Sequence, residues 1–277
     1  MKLVAIQLNS GAEWLHNRRE IAALLAELPA ERPCLVLLPE NFACLGTVSD
    51  YHSLAEPLGQ GPIQHQLSAW AREHGIWLVA GSLPIRCDDP AEARVHTTSL
   101  VYDADGRLQG HYHKLHLFDV EVADGHGSYR ESASFVAGDD WQVVDSPLGR
   151  LGLSICYDLR FPELYRRLRV AGAEILLVPA AFTKVTGEAH WLPLLRARAI
   201  ENQCYVVAAN QCGHHGGSRQ TWGHSVIIDP WGVVLAEAAD KPDLIQAKLE
   251  RSLLEQIRAD MPVIGHARLR HGWGESE

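Results

Sequence analysis

Three side chains in this sequence have the types and settings to do chemistry together. Cys156 follows the apolar run LGLSI and precedes DLRFPELYRRL, so it sits where a strand passes into a helix. A nucleophile on such a turn has a rigid backbone while its side chain emerges at the rim of a sheet. Tyr157 comes next, and its backbone N–H is a candidate to face an oxyanion developing on a substrate. The competing reading makes Cys156 a small core hydrophobe, a common fate of cysteine. Cys34, Cys204 and Cys212 are read that way.

A free thiol is only about 3% ionised at neutral pH, so a nucleophilic cysteine calls for a base and a cation that draw its pKa toward about 7. Glu40 ends the run LVLLP, where Pro39 cannot supply a ladder hydrogen bond, and so lies at the carboxyl end of a strand. It is a candidate base, or else an ordinary surface carboxylate. Lys114 in HYHKLHLF is flanked by Leu115, Leu117 and Phe118. A cation in such a partly dry place favours a thiolate and can neutralise a substrate oxygen; the alternative is a lysine snorkelling at the surface. His190 and Trp191 are candidates to line a pocket, although His190 fits a satisfied core histidine equally well, and the chain holds 15 histidines. Asp158, Arg160 and Glu163 are expected to hold the turn around Cys156. Arg196 and Arg198 are expected to anchor their helix by ion pairs, unless one faces a substrate carboxylate.

The elements that must position these groups follow from hydrophobic patterning. LVAIQL opens the chain as a strand, and residues 14–28 carry a helical apolar face with Ile21, Leu24, Leu25 and Leu28. A strand at 35–39, a helix at about 62–74 and a strand at 77–81 follow. Residues 96–103 and 107–112 bracket the turn ADG as an antiparallel hairpin. The stretch 113–140 has little periodicity and is too long for an idle connection, which makes it a candidate active-site loop. The order then repeats with a strand at 151–155, a helix at about 162–171, a strand at 174–178, a helix at about 190–201 and a strand at 205–209. A second hairpin at 223–236 turns at DPWG. Two β-α-β halves joined by hairpins predict an α/β fold with two mixed sheets face to face and helices outside. No polar linker divides residues 1–277, so a single domain is expected, with an irregular tail from about 262 that packs against a neighbouring subunit.

Composition narrows the function. The net charge of −9 leaves no basic stripe for a nucleic acid. The Arg-rich helix 160–169 reads as a solvated face or a subunit contact. No run of about eighteen apolar residues predicts a membrane span, and the start lacks the apolar core of a signal peptide. The six cysteines follow neither a zinc pattern nor a disulfide framework, so no metal or cofactor is expected, and reduced thiols point to a cytoplasmic protein.

The segments LLPENF, YHKLHLFD and LSICYDLRFPEL, in this order, resemble the three conserved boxes of the carbon–nitrogen hydrolase family, the nitrilase superfamily. The resemblance extends over almost the whole chain, through TGEAHW, LLRARAIENQCYVVAANQCG and WGHSVIIDPWG. It implies a four-layer α-β-β-α sandwich and a hydrolase with Glu40 as general base, Lys114 as catalytic lysine and Cys156 as nucleophile. Glu131 in SYRES matches a second glutamate that hydrogen-bonds near the lysine and substrate. The resemblance also implies a homodimer or higher homo-oligomer. The segments after Cys156 are most similar to the deaminated-glutathione amidase branch, which implies cleavage of a linear amide to 2-oxoglutarate and cysteinylglycine. The ω-amidase branch, acting on 2-oxoglutaramate, is the near alternative. Nitrile or carbamoyl hydrolysis would use the same three residues, and a non-catalytic binding protein would be expected to lose one of them. Glu188 stands where relatives often carry proline, and a carboxylate there would repel anions unless it points away.

Overall fold

Successive residues of the first strand, Lys2–Gln7, face opposite ways. Leu3 and Ala5 enter a core shared by two sheets, whereas Val4 and Ile6 enter a second core under helices. The computed structural model describes residues 1–124, 127–216 and 218–269. In the first sheet Lys2–Gln7, Cys34–Leu37 and Trp77–Arg86 run parallel; Val95–Tyr102 and Leu108–His113 extend it antiparallel. The second sheet repeats the plan, with parallel Leu151–Leu153, Ile175–Ala180 and Tyr205–Asn210 extended by the antiparallel hairpin Val226–Ile228 and Val234–Glu237.

Helices Trp14–Leu25 and Pro62–His74 cover the outer face of the first sheet with Ile21, Leu25, Ile63, Leu67 and Trp70. Helices Pro162–Val170 and Lys184–Asn202 cover the second with Leu164, Leu168, Leu195 and Ala199. Between the sheets, Leu35, Leu37, Val79 and Val101 meet Leu153, Ile155, Leu177 and Val207 in one continuous core. The layers are therefore helix, sheet, sheet, helix, as expected from the sequence.

Several elements differ from the sequence expectation. The helix expected near 190 begins at Lys184. Its Gly187 and Pro193 weaken the helical signal, but a Cβ on Gly187 would run into Trp222, so the glycine is there for close packing. Strand Asp243–Lys248, which pairs antiparallel with Lys2–Gln7, and helices Val48–Leu54 and Arg251–Asp260 were not anticipated. Of the tail from about 262, Val263–His266 forms a short helix and residues from 270 onward lie outside the described residues.

Candidate active site

The carboxyl ends of both parallel triplets open on the same cleft, and each delivers part of a constellation. In the first sheet Leu38 still donates to the Val79 carbonyl at 2.9 Å, after which Pro39 ends the ladder and Glu40 turns into the cleft. A side chain at Gly81 would strike the Leu38 and Pro39 carbonyl oxygens, so this close approach of two strand ends requires glycine. Asn41 then takes a left-handed φ of 58°, its N–H donating to Ser82 Oγ at 2.9 Å. Gln211 Nε2 donates to the Glu40 carbonyl at 3.0 Å and ties that bend to the second sheet. Non-glycine residues held in the left-handed region mark strain concentrated at functional sites.

Lys114 follows strand Leu108–His113, with its N–H on the Thr97 carbonyl at 2.9 Å and its own carbonyl accepting from Gly138 at 2.8 Å. Its Nζ donates to Glu40 Oε1 at 2.9 Å and to Glu131 Oε1 and Oε2 at 3.0 and 2.9 Å. Glu131 opens the single helical turn Glu131–Ala133 and also accepts from the Phe118 N–H at 2.6 Å. Burial opposes the Lys114 charge, but Glu131 and Glu40 outweigh it and hold the ammonium well above its ordinary range. Glu131 is pushed up by burial despite that lysine.

From the second sheet, Ile155 is still extended, and Cys156 adopts a left-handed φ of 48° at the head of the turn Cys156–Arg160. Asp158, fully buried, organises this elbow. It accepts from the Ile155 N–H at 2.8 Å, from Tyr112 Oη at 2.7 Å and from the His116 N–H at 3.1 Å, and pairs with the His116 ring at 2.7 Å. The Cys156 thiol lies beside the Glu40 carboxylate, whose Oε1 takes Lys114 Nζ and whose Oε2 accepts from the Ala181 N–H at 2.9 Å. Glu40 thus ties amine to backbone amide beside the thiol.

Burial, and then the Glu40 charge, push the Cys156 thiol well above its ordinary value, more than Lys114 pulls it down. This corrects the expectation of a thiol drawn toward neutrality: the lysine's charge is already answered by two carboxylates. A resting thiol beside a carboxylate gives up its proton to that carboxylate as sulfur attacks, with no standing thiolate required. Glu40, Lys114, Glu131, Cys156 and Tyr157 all face one cavity of about 800 Å³, within the size range that takes a small-molecule ligand.

The family model for carbon-nitrogen hydrolases matches residues 2–259. The chain belongs to this family. A deaminated glutathione amidase from Yersinia enterocolitica is 44% identical over 263 residues, 95% of this chain and 91% of its own. That of Homo sapiens is 41% identical, covering 97% and 83%. Among solved structures, the C. elegans NitFhit protein superposes with a TM-score of 0.87 at 40% identity, over 96% of this chain and 65% of that one. Saccharomyces cerevisiae Nit3 gives 0.84 at 30% identity, over 98% and 96%.

In this carbon-nitrogen hydrolase the remaining sequence candidates fall away from the cavity. His190 is exposed and takes Arg160 Nη1 on its ring nitrogen at 3.1 Å, outside the cavity wall. Trp191 is buried one layer behind the wall, its ring 5.0 Å from that of the wall residue Phe182 and its Nε1 donating to the His224 carbonyl at 2.7 Å. Adjacent helical positions diverge by about 100°, so the two residues point in different directions from one helix, one to solvent and one to the core. Arg198 donates twice to the Leu159 carbonyl and pairs with Glu201, whereas Arg196 is held by the Gly232 carbonyl and not by an ion pair; neither lines the cavity. Arg160, expected only to brace the turn, does line it, with its guanidinium 5.2 Å from the Phe182 ring. Glu188 is exposed and absent from the wall. Tyr51, Phe135 and Arg219 line the cavity without having been singled out; they come from segments with no chemical motif of their own.

Proposed function

We propose that this chain is a single-domain amidase that cleaves a linear amide through a thioester on Cys156. The observation that carries this reading is the Glu40 carboxylate, paired with the Lys114 ammonium, sharing one cavity wall with the Cys156 thiol. In the reaction Glu40 takes the thiol proton as sulfur adds to the amide carbonyl. Lys114 and the Tyr157 N–H face the resulting oxyanion. Glu40 returns its proton to the departing nitrogen, since an amide ion is not a viable leaving group at neutral pH. Water, deprotonated by the same carboxylate, then hydrolyses the thioester. Glu131 holds Lys114 charged and in place.

The substrate proposed is deaminated glutathione, cleaved to 2-oxoglutarate and cysteinylglycine. The relatives from Yersinia enterocolitica and Homo sapiens, matched over nearly the whole chain, carry that activity in their names. The test compares purified protein on deaminated glutathione, 2-oxoglutaramate and a simple nitrile. Faster release of cysteinylglycine than of ammonia is expected; the reverse ranking would reassign the chain to ω-amidase. Cys156→Ala should abolish turnover and leave the unfolding transition in place, and full activity in that variant would end the cysteine mechanism.

The homo-oligomer is proposed on a separate footing. Ile200, Trp231 and Val233 are exposed at 50%, 60% and 49% beside the helix Lys184–Asn202, a cluster whose burial a second copy would favour. Light scattering on the purified chain, with Trp231→Lys expected to release monomers, tests it. All six cysteines are unpaired, which fits the cytoplasmic setting proposed. Among the described residues no helix is long and apolar enough to cross a membrane.

A further inference from the structure

Four cationic side chains line the cavity, and they are not equivalent. Lys114 is answered by Glu40 and Glu131, and Arg130 pairs with Glu121 at 2.5 Å. Arg160 and Arg219 have no carboxylate within ion-pair distance among the described residues. Arg160 lies against the rings of Tyr157 and Phe182, on the same turn as the nucleophile. Arg219 lies elsewhere on the wall. It follows the short strand Cys212–His214, is half-buried, and donates through Nη1 to Tyr51 Oη at 3.4 Å. Tyr51 is itself buried and packed edge-on against Phe135 at 5.6 Å, so the hydroxyl that steadies the guanidinium is fixed.

A guanidinium held in a ligand cavity without a counter-charge offers a planar fork suited to a carboxylate. The substrate proposed above has two carboxylates, one on the 2-oxo acid part and one on the terminal glycine, whereas 2-oxoglutaramate has one. Two unanswered guanidiniums match the first count and exceed the second. Because Arg160 belongs to the turn that holds the acyl group at Cys156, the remaining one is left for the leaving group.

We propose that Arg219, steadied by Tyr51, is the receptor for the terminal carboxylate of the leaving peptide and so sets the preference for a long dianionic amide over a short one. This rests on the substrate reading above, and the experiment separates the two. Two ligands are compared: deaminated glutathione and its analogue carrying a terminal carboxamide. Turnover is measured on the unmodified protein and binding by calorimetry on Cys156→Ala, each with and without Arg219→Gln. The acid should be favoured over the carboxamide by about 10- to 100-fold, the worth of a charge-assisted pair. That ratio should fall to about one in Arg219→Gln and by a few-fold in Tyr51→Phe, with kcat/KM on 2-oxoglutaramate little changed. Both variants are assayed only where their urea-unfolding midpoint matches that of the parent, so an unmoved ratio reports on the receptor and not on loss of folding. A ratio near one in the unmodified protein, a ratio unmoved by Arg219→Gln, or no binding of either ligand to Cys156→Ala overturns the receptor. Arg219-dependent binding of the acid without its turnover would sink the substrate reading and leave the receptor standing.

Discussion

Replacing Asp158 with alanine removes an acceptor from three backbone and hydroxyl donors, and their burial decides the cost. Ile155 and Tyr112 are at most 1% exposed, so their N–H and O–H would be left without partner or water. Each such orphan costs about 1–3 kcal/mol. The His116 side chain is 30% exposed, so water can replace the bonds there. The sum for Asp158→Ala is therefore about 4 kcal/mol, a large part of the ~5–15 kcal/mol that holds a domain folded. Asp158→Asn should cost less, about 1–2 kcal/mol, because the amide oxygen can serve Ile155 and Tyr112 while its NH2 turns to the wetter His116 side. Urea unfolding of the three proteins measures both steps, the midpoint falling in the order Asp, Asn, Ala. Asp158 also joins Ile155, the neighbour of Cys156, to Tyr112 and His116, which bracket Lys114. Relaxing that tie should lower kcat of the folded Asp158→Asn protein by about 100-fold, the effect of misplacing reacting groups by roughly 1 Å. An Asp158→Ala protein that unfolds at the same urea concentration as the parent would refute this account of the elbow.

Glu40→Gln removes a negative charge from beside the sulfur, so the thiol should become more acidic while turnover is lost; the alkylation rate of Cys156 would then rise at lower pH than in the parent. An unshifted alkylation profile would show that the carboxylate does not govern the thiol. Gly81→Ala should give a protein that melts lower and has lost most activity, since the methyl group displaces the strand end that carries Glu40. Burial, aided by neighbouring histidines, holds His113 down at about 4 from 6.5, and burial does the same to His215. Their folded forms resist protons that the unfolded chain accepts, so their contribution is intact above about pH 6.5 and declines as pH falls toward about 4. The melting midpoint should follow that window, and His113→Asn should flatten it.

The sequence made the site legible where local chemistry and position coincide. Pro39 ends a strand by lacking an N–H, so Glu40 could be placed at a rim without knowing the partner strand. Cys156 lay between a strand pattern and a helix opened by Pro162, which fixed the elbow. Orientation was harder: Gly187 hides the first turns of its helix, and nothing local to His190 tells a pocket or core histidine from the exposed one the structure shows. Strand Asp243–Lys248 was missed because its burial depends on pairing with Lys2–Gln7, across more than two hundred residues of chain. Arg219 and Tyr51 carry no spacing signal at all, since only the closed cavity makes neighbours of residues 168 positions apart. The direction of the thiol's acidity depends on how many carboxylates surround one ammonium, a tally that no single segment contains.

The carboxylates and the amine come from the first sheet and its loops, the sulfur from the second. On the mechanism proposed above, neither half alone has the means to break an amide bond, and competence arrives only when the two layers close on each other. Closure also hides the sulfur: Cys156 is 8% exposed in the finished molecule. Its resistance to a bulky thiol reagent therefore reports the same event that switches on turnover, and the two readouts should rise together during refolding.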